Sequence, residues 1–272
     1  MNMISCVEYA DRMKAELKTS INKLDIKPSL LIIQVGDNPA SNSYIKGKIK
    51  DCEEVGIDYR HINFMDSTSE IELIEYIEVC NHDKSINGII VQLPLPDHID
   101  ADKVANAISR EKDVDGFRVD SCFKPCTPLG VVNWLEYNNY KFEGKDVTVI
   151  GRSNIVGKPL VNMLIDKGAT VTCCNSKTGD LTHHTEYADL VISAVGKPKF
   201  LDAHNFYYAE VIVDVGISRD ENGKLCGDID REDVIKEYPD TYVTPMPRGT
   251  GLLTRVCLMK NTFDAYKLQK GI

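Results

Sequence analysis

No C-x-x-C pair occurs anywhere in the 272 residues, so the nine cysteines do not fall into zinc-ligand spacing. Cys173 and Cys174 are adjacent, Cys122 and Cys126 flank a proline-containing loop, and His183–His184 are too close to form a two-ligand motif. The expectation is reduced, structural thiols and no metal. Basic charge is also short. With 32 Lys and Arg against 41 Asp and Glu, the net charge is −9, and the cationic footprint that nucleic acid needs is missing. No apolar run approaches a membrane span. The opening MNMISCVEYADRMKAEL reads as an amphipathic helix and lacks signal-peptide architecture, so the expected address is the cytoplasm, with no membrane partner. Internal repeats and low-complexity segments are missing too. What remains is an ordinary globular composition, 43% hydrophobic and 27% charged, long enough for one large or two medium domains.

Strand-like apolar runs alternate with helical stretches along the chain. SLLIIQV (29–35) precedes a helix ending near Gly56, then a short strand at Tyr59–Phe64 and a helix around Ser69–Asn81. INGIIVQLPLP (86–96) reads as a buried strand stopped by prolines, with another helix near Asp100–Ser109. This β-α-β-α-β order predicts a parallel sheet covered on both faces. The polar stretch from Ser109 to about Pro128 reads as a boundary. A second set of strands follows in DVTVI, ATVTC, DLVISAV and VIVDVG. The final stretch from Tyr242 is a turn-rich loop and then a helix, which packs back against the first domain. The fold class is therefore α/β, with two α/β domains. The second is Rossmann-like, and a cleft is expected between the two.

Tyr44 and Lys48 are four residues apart in the helix that follows SLLIIQV, so a phenol and an amine share one face. A phenol can orient an amine or a water on it. Taken alone, the pair equally fits a tyrosine packed on a lysine stem. DVTVIGRSNIVGKPLVNMLIDKGATVT has the layout of a dinucleotide-binding β-α-β, with a glycine turn at Gly151 and a helix opening near Gly157. Helix N-termini suit a pyrophosphate, although the pattern is G-x-S-x-x-x-G-x-P rather than the usual glycine fingerprint. The second strand ends in Cys173–Cys174–Asn175–Ser176–Lys177 without the carboxylate that NAD enzymes place there. Arg152, Ser176 and Lys177 instead offer donors to a 2′-phosphate, which favours NADP. SAVGKP (193–198) and DVGISR (214–219), the latter carrying Ile217, are expected to close the cofactor cleft.

In order, VGDNPAS, Y-x-x-x-K, GIIVQLPLP, KDVDGF, PCTP and GRSNIVGKP closely resemble the bifunctional methylenetetrahydrofolate dehydrogenase/methenyltetrahydrofolate cyclohydrolase family. The resemblance runs from about Leu31 to Thr254. It implies a homodimer of two-domain chains, with residues 1–118 and 248–272 binding folate and residues 119–247 binding NADP. It further implies oxidation of 5,10-methylenetetrahydrofolate and hydrolysis of the methenyl product to 10-formyltetrahydrofolate, so the partners are tetrahydrofolate derivatives. The family's catalytic set falls on Lys48, Tyr44, Gln92 and Asp115. Its folate contacts fall on Tyr44, Gln92, Leu93, Pro94, Asp115, Pro247 and Gly251, and its cofactor contacts on Gly151, Arg152, Ser153, Ser176 and Ile217. These residue types suit the chemistry. Hydride loss leaves a nitrogen-stabilised cation and needs positioning more than a base, whereas adding water to that cation needs a base, which a partly neutral lysine supplies. Gln92 orients the amine without adding negative charge. Asp115 can accept two N–H bonds from a pterin edge, and Asp113 reads as a turn residue.

The chain departs from the family where P-G-G-V-G-P-M-T becomes Pro247–Arg248–Gly249–Thr250–Gly251–Leu252–Leu253–Thr254. Arg248 stands for a glycine and Leu252 for a proline, which bears on folate affinity and the balance of activities. Asn175 replaces the family's histidine, and the D-G-K opening is missing. A dehydrogenase with little hydrolase activity, and a weak folate- or nucleotide-binding paralogue, are the competing expectations. A short-chain dehydrogenase is excluded, because there the glycine turn precedes the Tyr–Lys pair.

Overall fold

The computed structural model describes residues 3–272, so the first two residues of the expected N-terminal helix lie outside the described residues. Two compact units are present, one built from Asp11–Cys126 and Arg255–Ile272, the other from the chain up to Ala10 with Thr127–Thr254. These limits differ from the expected ones at 118 and 247, because α1 (Cys6–Ile21) and the C-terminal helix each contribute to both units.

The first of these units holds β1 (Ser29–Val35), α2 (Pro39–Val55), β2 (Asp58–Phe64), α3 (Glu70–His82), β3 (Gly88–Val91) and α4 (Ala101–Ala107). Its sheet is parallel in the order β2-β1-β3, with Leu31 opposite Ile89 and Ile33 opposite Val91. Every residue of β1 is buried, as expected of a central parallel strand with both faces covered. Leu31, Ile33 and Val35 pack on one face with Leu73, Ile77 and Val104. Sequence sets the helix ends. Asn38 accepts from the N–H groups of Ala40 and Ser41 with Pro39 in the first turn, and Gly56 closes α2 at φ 87°. Ser69 and Glu72 form a reciprocal cap on α3.

The other unit holds α5 (Cys126–Tyr137), β4 (Asp146–Ile150), α6 (Gly157–Asp166), β5 (Thr170–Cys174), α7 (Thr182–Thr185), β6 (Leu190–Ser193) and β7 (Val211–Asp214). A short hairpin follows in β8 (Ser218–Arg219) and β9 (Leu225–Cys226), then α8 (Arg231–Glu237), β10 (Tyr242–Val243) and α9 (Thr250–Lys270). The main sheet is parallel in the order β10-β7-β6-β4-β5. Chain order reverses between β4 and β6, which leaves a crevice at the carboxyl ends of those strands, where doubly wound sheets bind ligands. From Arg255 onward α9 belongs to the unit that carries α2.

Candidate active site

Tyr44 and Lys48 lie on α2, and Lys48 is only 4% exposed. A buried ammonium is costly unless a polar partner holds it. That partner is Gln92, directly after β3, whose Oε1 accepts from Lys48 Nζ at 3.0 Å. Gln92 is fixed in turn. Its backbone N–H donates to Ile33 O at 2.8 Å, extending the sheet by one residue, and its Nε2 donates to Leu93 O at 2.7 Å. Leu93 O also accepts from Ser41 Oγ of α2 at 3.3 Å. The Leu93–Pro94 bond is cis and Pro94 is exposed. The Tyr44 ring centroid lies 5.7 Å from Lys48 Nζ, so the expected face-sharing pair is present in space.

Asp115 reaches the same region because Ile89 N–H donates to Lys112 O at 2.8 Å and Ile89 bridges Asp113 in parallel, which carries this segment alongside β3. Asp115 is 8% exposed, and its carboxylate accepts no hydrogen bond from the described residues. Asp113, by contrast, closes the turn as expected, accepting from the N–H groups of Gly116, Phe117 and Arg118. Asn261 of α9 anchors the loop from the other side, donating through Nδ2 to Val114 O at 2.9 Å and Lys124 O at 3.2 Å. Burial pushes the Cys126 thiol well up, and this sulfur senses the charges of both Asp115 and Lys48.

In the other unit a cavity of ≈ 460 Å³ lies at the β4/β6 crevice. Gly151, Arg152, Ser153 and Ser176 line it, together with Asn175, Thr178 and Lys197. Gly151 sits at φ 113°, where a Cβ would overlap Ala194 O, and a Cβ at Gly157 would overlap Gly151 O, so both glycines are required for α6 to start this close to β4. Ser153 Oγ accepts from Val156 N–H at 3.2 Å and Gly157 N–H at 3.3 Å, and its own proton remains available to donate. No carboxylate lines the cavity. Ile217, 46% exposed, is not in its lining, and neither are Pro247 and Gly251. Pro247 follows a cis bond and is exposed, Arg248 has φ 72°, and Gly251 lies in the first turn of α9.

Two residues that shape this cavity escaped sequence reasoning. Asp228 is fully buried and accepts from Ser193 Oγ at 2.7 Å and from the N–H groups of Val195, Gly196 and Lys197, each at 2.8 Å. Asp214 accepts from the N–H groups of Gly216, Asp228 and Ile229, each at 3.0 Å. Burial pushes Asp214 up to about 6 against those three bonds, with the Asp228 charge adding to the rise. The glycines opposite them, Gly216 and Gly227, were the available signal, since a Cβ at either would overlap an aspartate carboxylate.

Comparison with known proteins matches both parts of the chain to one family. Residues 4–115 match the family described as Tetrahydrofolate dehydrogenase/cyclohydrolase, catalytic domain, and residues 125–270 match Tetrahydrofolate dehydrogenase/cyclohydrolase, NAD(P)-binding domain. A Bifunctional protein FolD of Bacillus anthracis is 44% identical over 272 residues, covering 96% of this chain and 94% of that protein. The crystal structure of the bifunctional enzyme FolD from Campylobacter jejuni superposes with a TM-score of 0.94 at 42% identity, covering 98% of this chain and 99% of that one. A Trypanosoma brucei FolD solved with NADP cofactor and inhibitor gives a TM-score of 0.92 at 26% identity, covering 100% of this chain and 99% of that one. The chain belongs to the tetrahydrofolate dehydrogenase/cyclohydrolase family.

Proposed function

We propose that this protein oxidises 5,10-methylenetetrahydrofolate with NADP and hydrolyses the methenyl product to 10-formyltetrahydrofolate. The observation that carries this reading is the buried Lys48 amine held 3.0 Å from Gln92 Oε1 beside the Tyr44 ring. Gln92 Oε1 accepts one proton of the amine and so directs its remaining valences. A neutral Lys48 takes a proton from the water that attacks the methenyl carbon, and Tyr44 orients that water. Asp115, whose carboxylate accepts no hydrogen bond from the described residues, accepts the N–H pair of the aminopyrimidine edge and fixes the pterin. Leu93 and Pro94, just after β3, add to the folate contacts of this unit on this reading.

The cavity at β4/β6 suits NADP by its donor set: hydroxyls from Ser153, Ser176 and Thr178, cations from Arg152 and Lys197, and a glycine-framed helix start. When bound, NADP supplies the hydride acceptor. Arg152 and Ser176 hold the 2′-phosphate, Gly151 and Ser153 border the pyrophosphate, and Ile217 packs on the nicotinamide side. The protein acts as a homodimer in the cytoplasm on this reading. The direct test is purified protein with 5,10-methylenetetrahydrofolate and NADP, followed at 340 nm for NADPH and separately for decay of supplied methenyltetrahydrofolate. Both signals are expected, and silence in both with either nicotinamide cofactor would sink the reading.

A further inference from the structure

The helical turn after Lys48 carries a second buried charge. Asp51 stands three residues on, shares the helix face, and is 3% exposed. Two cations from other elements meet it. Arg255 of α9 brings Nε to 3.0 Å from Asp51 Oδ2, and Lys14 of α1 brings Nζ to 3.8 Å from Oδ1. Lys14 is shared with Glu54 at 2.8 Å and Asp11 at 3.4 Å, so Arg255 is the closer and less divided partner. The Arg255 N–H is not aligned along that short contact, and the pair is held by charge more than by a directed hydrogen bond. Arg255 lies here because residue 47 is glycine, since a Cβ at Gly47 would overlap Arg255 Nη1.

A buried carboxylate that loses its closer cation is left undercompensated, which favours the approach of any other cation on its helix face. Lys48 stands three residues back on the same helix face, the spacing at which a helical lysine and aspartate can pair. Yet Lys48 bonds to Gln92 and not to Asp51. We propose that Arg255 is a positioning residue for Lys48, neutralising Asp51 so that the amine stays on Gln92 and remains usable as a base. This rests on the reading of Lys48 as the hydrolytic base. The other groups that bear on the pair are Cys126, Asp115 and Tyr44 around Lys48, and Lys50, Glu54, Lys14 and Asp11 around Asp51.

The test follows methenyltetrahydrofolate hydrolysis by the full-length protein across pH. R255M is expected to lower kcat at neutral pH about tenfold and to move the rising limb of the profile about one pH unit to the alkaline side, because an ammonium held by a carboxylate gives up its proton later. The KM for folate should hardly change, and NADP reduction, which needs no base, should fall less. Adding D51N to R255M should restore the profile, and R255K should keep most of it. G47A, which displaces the guanidinium without deleting it, should give the same shift and the same rescue, and it serves should R255M fail to fold. An unmoved profile in these variants, or no rescue by D51N, overturns the proposal. K48M separates the two failures. Hydrolysis that survives K48M removes the reading of Lys48, whereas hydrolysis lost in K48M with an unmoved R255M profile removes only the role of Arg255.

Discussion

The two units prepare their sites in opposite ways. Around Lys48 the polar side chains are tied down before any ligand arrives: the amine to Gln92, and Gln92 and Ser41 both to the backbone carbonyl of Leu93. At the β4/β6 cavity the frame is backbone and glycine, shaped from behind by Asp228, while Arg152 and Lys197 make no ion pair among the described residues. The difference follows from the task. A base that must meet one water needs a fixed position. A phosphate is recognised by charge and donors, which tolerate adjustment on arrival.

The contrast breaks most sharply at Lys48. Lys48→Met should reduce methenyltetrahydrofolate hydrolysis at least about a hundredfold while NADP reduction survives, as expected for loss of a general base. Equal loss of both reactions, measured on the same preparation, would make Lys48 a general folate-binding group instead. At the cavity the effect should be smaller and selective. Arg152→Ala should raise the KM for NADP about tenfold, the scale of one charge-assisted hydrogen bond, and leave the KM for NAD nearly unchanged. Parallel rises for both cofactors would refute recognition of the 2′-phosphate. The smallest effect concerns the frame. Because burial pushes Asp214 up to about 6, the folded state keeps a proton that the unfolded chain releases near the ordinary carboxylate range. The stability it contributes is therefore fully present below that range and is lost as pH rises towards 6. Melting curves between pH 4 and 7 should show the wild-type advantage over Asp214→Asn shrinking with pH by about a few degrees. An advantage that grows instead would mean that the three N–H bonds outweigh burial.

The central strands were legible because β1, β3, β4, β6 and β7 are short, apolar and bounded by turn residues. The Tyr44–Lys48 spacing and the glycine turn at Gly151 were legible because each places chemistry at a fixed local interval. By contrast, α5 is apolar on most sides, with Val131, Val132, Trp134 and Leu135 all buried, so it shows no amphipathic stripe to announce a helix. The β8–β9 hairpin and α8 are too short to establish a period. Asp228 and Arg255 act through partners 31 to 35 and about two hundred residues away in sequence, and no local pattern encodes such a pairing.

Arg248, where a glycine would be at ease, holds a left-handed backbone at φ 72°. A side chain there carries a local strain of order 1–3 kcal/mol. It also removes conformations that glycine would sample in the unfolded chain. The segment between β10 and α9 thus exchanges some local comfort for a narrower repertoire of shapes, and entropy as well as contact sets how readily it can rearrange.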